Sequence, residues 1–151
     1  MFFRPLALAF AMSLTGVSAM AADLITKTSP HSVSVTIDRL SAAVEGAGAK
    51  VFARVDHAAG ANSVGTDLRP TEMLMFGNPK LGTPAMLAAQ SSGLDLPLRV
   101  VAYEDAEGVV YVAYHDPAAL AGDHGIPADA EVLAKMTGAL GKLTDKATAA
   151  E

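Results

Sequence analysis

Apolar residues along this chain recur at two spacings, every second position and every third or fourth, and the alternation lays out its elements. Leu24 to Thr28 reads as a short first strand, broken by Ser29-Pro30. Ser32 is a good N-cap for a helix in which Val33, Ile37, Leu40 and Val44 share a face, and Gly46 and Gly48 end it. Lys50 to His57 returns as a strand, with Val51, Ala53, Val55 and His57 on one face and Phe52, Arg54 and Asp56 on the other. Gly60 to Pro70 carries turn residues, with room for a helical turn between Ala58 and Val64. Glu72 to Phe76 is a strand apolar on both faces, Met73 and Met75 opposing Leu74 and Phe76. Such a strand is either covered on both sides within one chain or buried on its second face by a partner subunit. With few helices available the partner is favoured, and a homodimer is expected.

Lys80 to Gln90 predicts a short helix entered through Pro79. Leu98 to Tyr103 and Val109 to Tyr114 form a hairpin around Glu104-Asp105-Ala106-Glu107-Gly108. Pro117 opens a short helical stretch, and Asp129 is placed to cap a last helix lined by Val132, Met136, Leu140 and Leu143. The tail from Thr144 is expected to fray. The second and third strands and the hairpin make one mostly antiparallel sheet, with the first and last helices over one face. The fold class is α+β, a single two-layer sandwich without internal repeat or linker.

The N-terminus modifies the domain count. Arg4 is the basic start of a secretory signal, Leu6 to Val17 its apolar run, and Ala19-Met20-Ala21 fits small-x-small cleavage. An uncleaved anchor competes, but Ser13, Thr15 and Gly16 interrupt the run. Residues 1–21 are therefore expected to be a signal peptide and 22–151 one periplasmic domain with its core at about 26–143. No stable membrane insertion is expected after cleavage. The formal net charge of −5, with no basic cluster, argues against nucleic acid and anionic lipid as partners. The chain has no cysteine, which excludes disulfides, thiol nucleophiles, thiolate metal sites, iron–sulfur clusters and covalent c-type haem.

Several segments, in order, carry a resemblance: Thr28-Ser29-Pro30, Thr36 to Leu40, Asp56-His57-Ala58-Ala59-Gly60-Ala61 and Leu68-Arg69-Pro70-Thr71, then Phe76-Gly77-Asn78-Pro79-Lys80, Gly82 to Met86, Leu94 to Leu98 and Tyr114-His115-Asp116-Pro117. Together they resemble the domain of unknown function 302 family across nearly all of the mature chain. The resemblance implies a small α+β domain, dimeric and often exported in bacteria. It implies no activity.

Chemistry concentrates between Arg54 and Thr83. His57 ends its predicted strand at the rim of the core, where it either fixes the following loop through a carbonyl or serves as a base or ligand contact. The Gly77-to-Thr83 turn joins strand to helix. It is either an Asn-Pro cap or a cradle of backbone N–H groups for a carboxylate, phosphate or sulfate, with Lys80 and Thr83 nearby. It is no P-loop, since no Gly-Lys-Ser/Thr occurs. Arg69 either strengthens that site or pairs with Asp67 or Glu72. Tyr114 is a sheet residue whose hydroxyl has a chance of reaching a pocket. His31, His57, His115 and His124 show no metal-binding spacing, and Met73 and Met75 are a weak hint of copper, so no metal and no cofactor is expected. His115-Asp116 and Asp123-His124 could supply oxygen and nitrogen ligands, and read equally well as solvated loop.

The expected function is a periplasmic dimeric binding module for a small polar or anionic ligand. The candidate residues are His57, Arg69, Gly77, Asn78, Lys80, Thr83 and Tyr114. Two alternatives remain: an enzyme with His57 as general base, and a structural or assembly domain without a ligand.

Overall fold

The computed structural model describes residues 24–150, so the expected signal peptide at 1–21 lies outside the described residues. Within these, the elements run β1 (Leu24–Ser29), α1 (Val33–Gly46), β2 (Lys50–Asp56), α2 (His57–Ser63), β3 (Thr71–Gly77), α3 (Pro79–Ala88), β4 (Leu98–Glu104), β5 (Val110–His115), α4 (Leu120–His124) and α5 (Glu131–Thr148). Short 3-10 turns occupy Gln90–Leu94 and Pro117–Ala119.

The strands form one antiparallel sheet in the order β1-β5-β4-β3-β2. The expected α+β architecture is what the chain adopts. β1 joins at the edge against β5, with Leu24 opposite His115 and Ser29 opposite Val110. Its partner lies some eighty residues away, so nothing in its local pattern could assign it.

Local chemistry explains the turns. The Ser32 hydroxyl accepts from the Val35 N–H at 3.3 Å and starts α1. Gly48 ends α1 in a left-handed conformation, φ 72°, and lets Ala49 N–H reach back to the Val44 carbonyl. Gly108, φ 81°, does the same for the β4–β5 hairpin, where the Asp105 carboxylate accepts from the N–H groups of Glu107 and Val109.

Every second residue of the inner strands faces α1 and α5. Leu74, Phe76, Val100, Ala102, Val112 and Tyr114 meet Val33, Ile37, Leu40, Val44, Leu140 and Leu143 in one buried core. A smaller cluster of Ala85, Leu120, Ile126, Leu133 and Met136 joins α3 and α4 to the start of α5. Two hydroxyls in the main core are satisfied inside it: Thr36 Oγ1 donates to the Ser32 carbonyl at 2.8 Å, and Thr144 Oγ1 bonds the Leu140 carbonyl at 2.7 Å.

Four local expectations need correction. The register shift between Val51 and Ala53 puts Val51 and Arg54 on the helix side of the sheet and Ala53 and Val55 on the other, so the expected faces of β2 do not hold. Asp56 Oδ1 accepts the Ala59 N–H at 2.8 Å and turns the chain, so His57 opens α2 instead of ending β2. Asp129 does not cap α5; Ala130 holds that position without a side-chain cap, and Leu133 instead of Val132 begins the buried stripe. The tail does not fray at Thr144. Lys27 on β1 donates to the Gly141 carbonyl, Thr144 Oγ1 and Asp145 Oδ1, and buried Ala147 carries the helix on to Thr148.

Candidate functional site

The antiparallel register sorts the sequence candidates by the end of the sheet they occupy. Asp56 lies opposite Glu72, and Lys50 opposite Gly77. His57 and Arg69 therefore flank the start of β3, while Gly77, Asn78, Lys80 and Thr83 lie beyond its finish. Six strand steps separate the two groups, about 20 Å. They do not share one rim.

At the first end, His57 is exposed and makes no hydrogen bond or ion pair among the described residues. Arg69 Nε donates to the Glu104 carbonyl at 3.1 Å, tying the loop to the hairpin in place of the carboxylate pair weighed for it. Glu72 is taken by Arg54, whose Nε donates to Glu72 Oε2 at 2.6 Å and whose Nη1 donates to Asp38 on α1. These contacts hold the Arg54 guanidinium above its ordinary pKa, Glu72 first, partly opposed by burial. Tyr114 sits elsewhere again: it is buried in the core on β5, with Lys27 Nζ 6.0 Å from its ring centroid.

The second end holds a formed cavity. A space of about 220 Å³ opens beside the β3–α3 turn, lined by Gly77, Asn78, Leu81, Gly82 and Thr83 and closed by Phe52, Met86, Leu96, Pro97, Leu98 and Met136. Its wall is mostly apolar. The backbone around it explains why. Asn78 caps α3 twice over, its side-chain oxygen accepting from Lys80 N–H at 2.9 Å and its carbonyl from Leu81 and Gly82 N–H at 2.8 and 2.9 Å. Pro79 brings no N–H. The first donors of α3 are therefore spent on Asn78, and an anion here would find the Thr83 hydroxyl instead of a backbone cradle. Lys80 has no ion-pair partner among the described residues. Gly82 faces the cavity closely enough that a Cβ would lie 3.8 Å from Leu96 Cδ1, an ordinary contact.

A second cavity, about 200 Å³, lies under the 3-10 turn Pro117–Ala119 and is lined by Asp95, Arg99, His115, Asp116 and Asp123 among others. Beside it stands a group that sequence reasoning missed. His124, left open in the sequence between a ligand-supplying position and solvated loop, has a side chain only 7 % exposed, with Nε2 2.6 Å from Asp95 Oδ2 and Nδ1 3.0 Å from Ser91 Oγ. The separations of 29 and 33 residues carry no local signature; only the seating of α4 against the Gln90–Leu94 turn joins them. Among the described residues no group of three or more His, Cys, Asp or Glu is placed to hold a metal ion.

Comparison with known proteins adds a family and a fold. The model of the family described as "Domain of unknown function DUF302" matches residues 25–143. A "Fluoride-specific ion channel FluC 1" of Brucella suis biovar 1 is 45 % identical over 123 residues, 80 % of this chain and 48 % of the relative. A protein of the same name from Brucella abortus biovar 1 is also 45 % identical over 123 residues, covering 46 % of its length. The chain thus spans about half the length of the curated relatives it matches. A crystal structure of an uncharacterized conserved DUF302 protein from Bacillus stearothermophilus superposes with a TM-score of 0.76 at 23 % identity, covering 84 % of this chain and 99 % of that one. That likeness speaks for the fold alone.

Proposed function

The chain belongs to the DUF302 family of domains of unknown function, and from that premise we propose that it is an exported, dimeric module binding a small molecule with an apolar body and one polar or anionic end. The cavity at the β3–α3 turn carries the reading. At about 220 Å³ it is smaller than the roughly 300–1,000 Å³ of drug-sized sites, which limits the ligand to a few heavy atoms. Phe52, Leu81, Met86 and Leu96 supply the apolar wall and Thr83 a hydroxyl. The exposed Lys80, one residue before Leu81 in the same helix, adds positive charge to that end of the sheet and favours a carboxylate. Periplasmic localisation rests on the order of basic, apolar and small residues in 1–21. Among the described residues no helix is long and apolar enough to cross a membrane, and the reading takes nothing from the channel activity named for the Brucella relatives.

Benzoate and hexanoate are suitable probes. Each is expected to raise the melting temperature and to shift NMR signals of Gly82 and Met86. Gly82→Leu grows a side chain into the cavity and should abolish both effects while leaving the fold intact, since leucine favours helix by about 0.8 kcal/mol over glycine. A response unchanged in Gly82→Leu would remove the cavity from consideration.

The uncovered face of the sheet supports the dimer. Ala53, Val55, Met73, Met75, Val101 and Tyr111 share it by register, and Tyr103 stacks on Tyr111 at 5.6 Å between ring centroids. Lys50, Arg99 and His115 lie toward one end, and Asp105 and Glu107 stand beside Tyr111 at the other, so the charges frame an apolar middle of Ala53, Val55, Met73, Met75 and Val101. Five strands about 4.8 Å apart and about 20 Å long span roughly 24 by 20 Å in plan, about 480 Å², a little over half of the ~800 Å² that each partner of a standard interface buries. A second copy, with the same uncharged centre, is the occupant proposed. Sedimentation should show a dimer for the native chain and a monomer for Val101→Lys. A native monomer at ~100 μM rejects it.

A further inference from the structure

We propose that Ser91, His124 and Asp95 form a nucleophile, base and orienting carboxylate for acyl transfer, and that the substrate class is an ester with a short apolar acyl group. This goes beyond the binding reading: Ser91, His124 and Asp95 lie outside the cavity at the β3–α3 turn, although the surface beside them shares Thr83 and Met86 with its wall.

The hydrogen bonds assign the roles. A carboxylate only accepts, so the His124 Nε2 facing Asp95 Oδ2 at 2.6 Å carries the ring proton. In the neutral ring Nδ1 is then left with its lone pair, and it faces Ser91 Oγ at 3.0 Å. The serine O–H donates to it. This is the arrangement a general base needs before it removes a hydroxyl proton, with the ring nitrogens exchanged relative to the serine-protease template. The imidazole cannot swing freely, since its side chain is 7 % exposed, and Arg99 Nη2 holds the second oxygen of Asp95 at 3.2 Å. Ser91 itself is exposed, so a substrate can reach the hydroxyl.

The surroundings indicate what that substrate carries. Leu87 and Leu94 flank Ser91 in sequence and are 83 % and 82 % exposed, unusual for leucines in so small a domain. A shallow depression lined by Thr83, Met86, Leu87 and Gln90 begins at the residue before Ser91. An acyl chain laid there would cover apolar surface next in sequence to Ser91. Neither leucine is otherwise used by the fold.

The reaction balances with water as the second substrate. Ser91 Oγ bonds to the carbonyl carbon as its proton passes to His124 Nδ1. The carbon–oxygen bond to the alcohol then breaks, and the alcohol leaves with that proton. Water repeats the sequence on the acyl-serine, giving its proton to Nδ1 and its oxygen to the acyl carbon, after which Ser91 recovers the proton. An ester and water become an acid and an alcohol.

The test is covalent labelling with a fluorophosphonate, read by intact-mass and peptide mass spectrometry, together with p-nitrophenyl acetate turnover. The expected result is one adduct located on Ser91. Ser91→Ala should abolish it, and His124→Gln should slow it by about 100-fold or more, the contribution of a positioned base. Asp95→Asn lets the partner of Nε2 present either a donor or an acceptor, so the serine-facing nitrogen loses its assured lone pair and labelling should again fall. Melting curves of each variant separate lost chemistry from lost fold. Absence of an adduct on the native chain, or an adduct on another residue, overturns the proposal. So does equal labelling in folded His124→Gln. Ser91→Ala, His124→Gln and Asp95→Asn change no residue that lines the benzoate cavity, so benzoate binding should persist in all three and the two readings can fail separately.

Discussion

Phe76→Ala should lower the free energy of unfolding by about 3–5 kcal/mol, the cost of emptying a packed aromatic site. Phe76 is 2 % exposed, lies opposite Val51 on one side and Leu98 on the other, and faces the core shared with α1. A domain of this size is stable by about 5–15 kcal/mol in total, so the loss is a large fraction of it. At about 3–5 °C per kcal/mol, the melting temperature should fall by more than about 10 °C. Phe52→Ala is the control. Its side chain is of the same type but 52 % exposed, and the expected cost is about 1 kcal/mol. Urea denaturation of the two variants measures the difference. Equal losses would mean that the two sheet positions have been assigned to the wrong environments.

Arg54→Leu should cost about 1–3 kcal/mol, between the small worth of an exposed ion pair and the larger cost of stranding a buried charge. Arg54 leaves β2 to reach both Glu72 on the neighbouring strand and Asp38 on α1, with Ser34 Oγ accepting from Nη2 at 3.2 Å. Its side chain is 37 % exposed, but Glu72 is only 14 % exposed and would lose its one cation. Much of the penalty therefore belongs to Glu72 and not to the attraction itself. Adding Glu72→Gln removes the stranded charge, and the double variant should regain part of the loss. Chemical denaturation of the native chain, both single variants and the double variant closes the cycle. Strict additivity, or a loss below about 0.5 kcal/mol for Arg54→Leu, would reduce the contact to an incidental surface pair.

Both residues show how far local pattern reaches. The alternation of Met73, Leu74, Met75 and Phe76 announces a strand with two apolar faces, but not which face meets the helices. Strict alternation puts Arg54 on the face away from Val51, but Arg54 shares Val51's face and reaches α1, because the register shifts between Val51 and Ala53 and re-aims the residues that follow. Bulges leave no fixed mark in a sequence. The Asn78 cap was legible as one of two readings of the Gly77-to-Thr83 turn, and its hydrogen bonds now occupy the donors that the other reading needed.

Ser91, Asp95 and His124 mark the opposite limit. Each belongs to a short turn or a helix end, none lies in a recognisable motif, and the two shorter segments meet only after α3 and α4 have packed on α5. His57 and Arg69 were grouped with Lys80 because they are close along the chain. A seven-residue strand between them undid that grouping.

The sequence by itself determined the element order, the faces of α1, the hairpin, the α+β class and the family, since periodicity, caps and turns act over a few residues. Tertiary structure alone decided that β1 closes the sheet against β5, which end of β3 carries a cavity, and which polar side chains meet. Those outcomes depend on strand register and on helix seating, which join residues dozens of positions apart. No spacing of apolar residues encodes such distances.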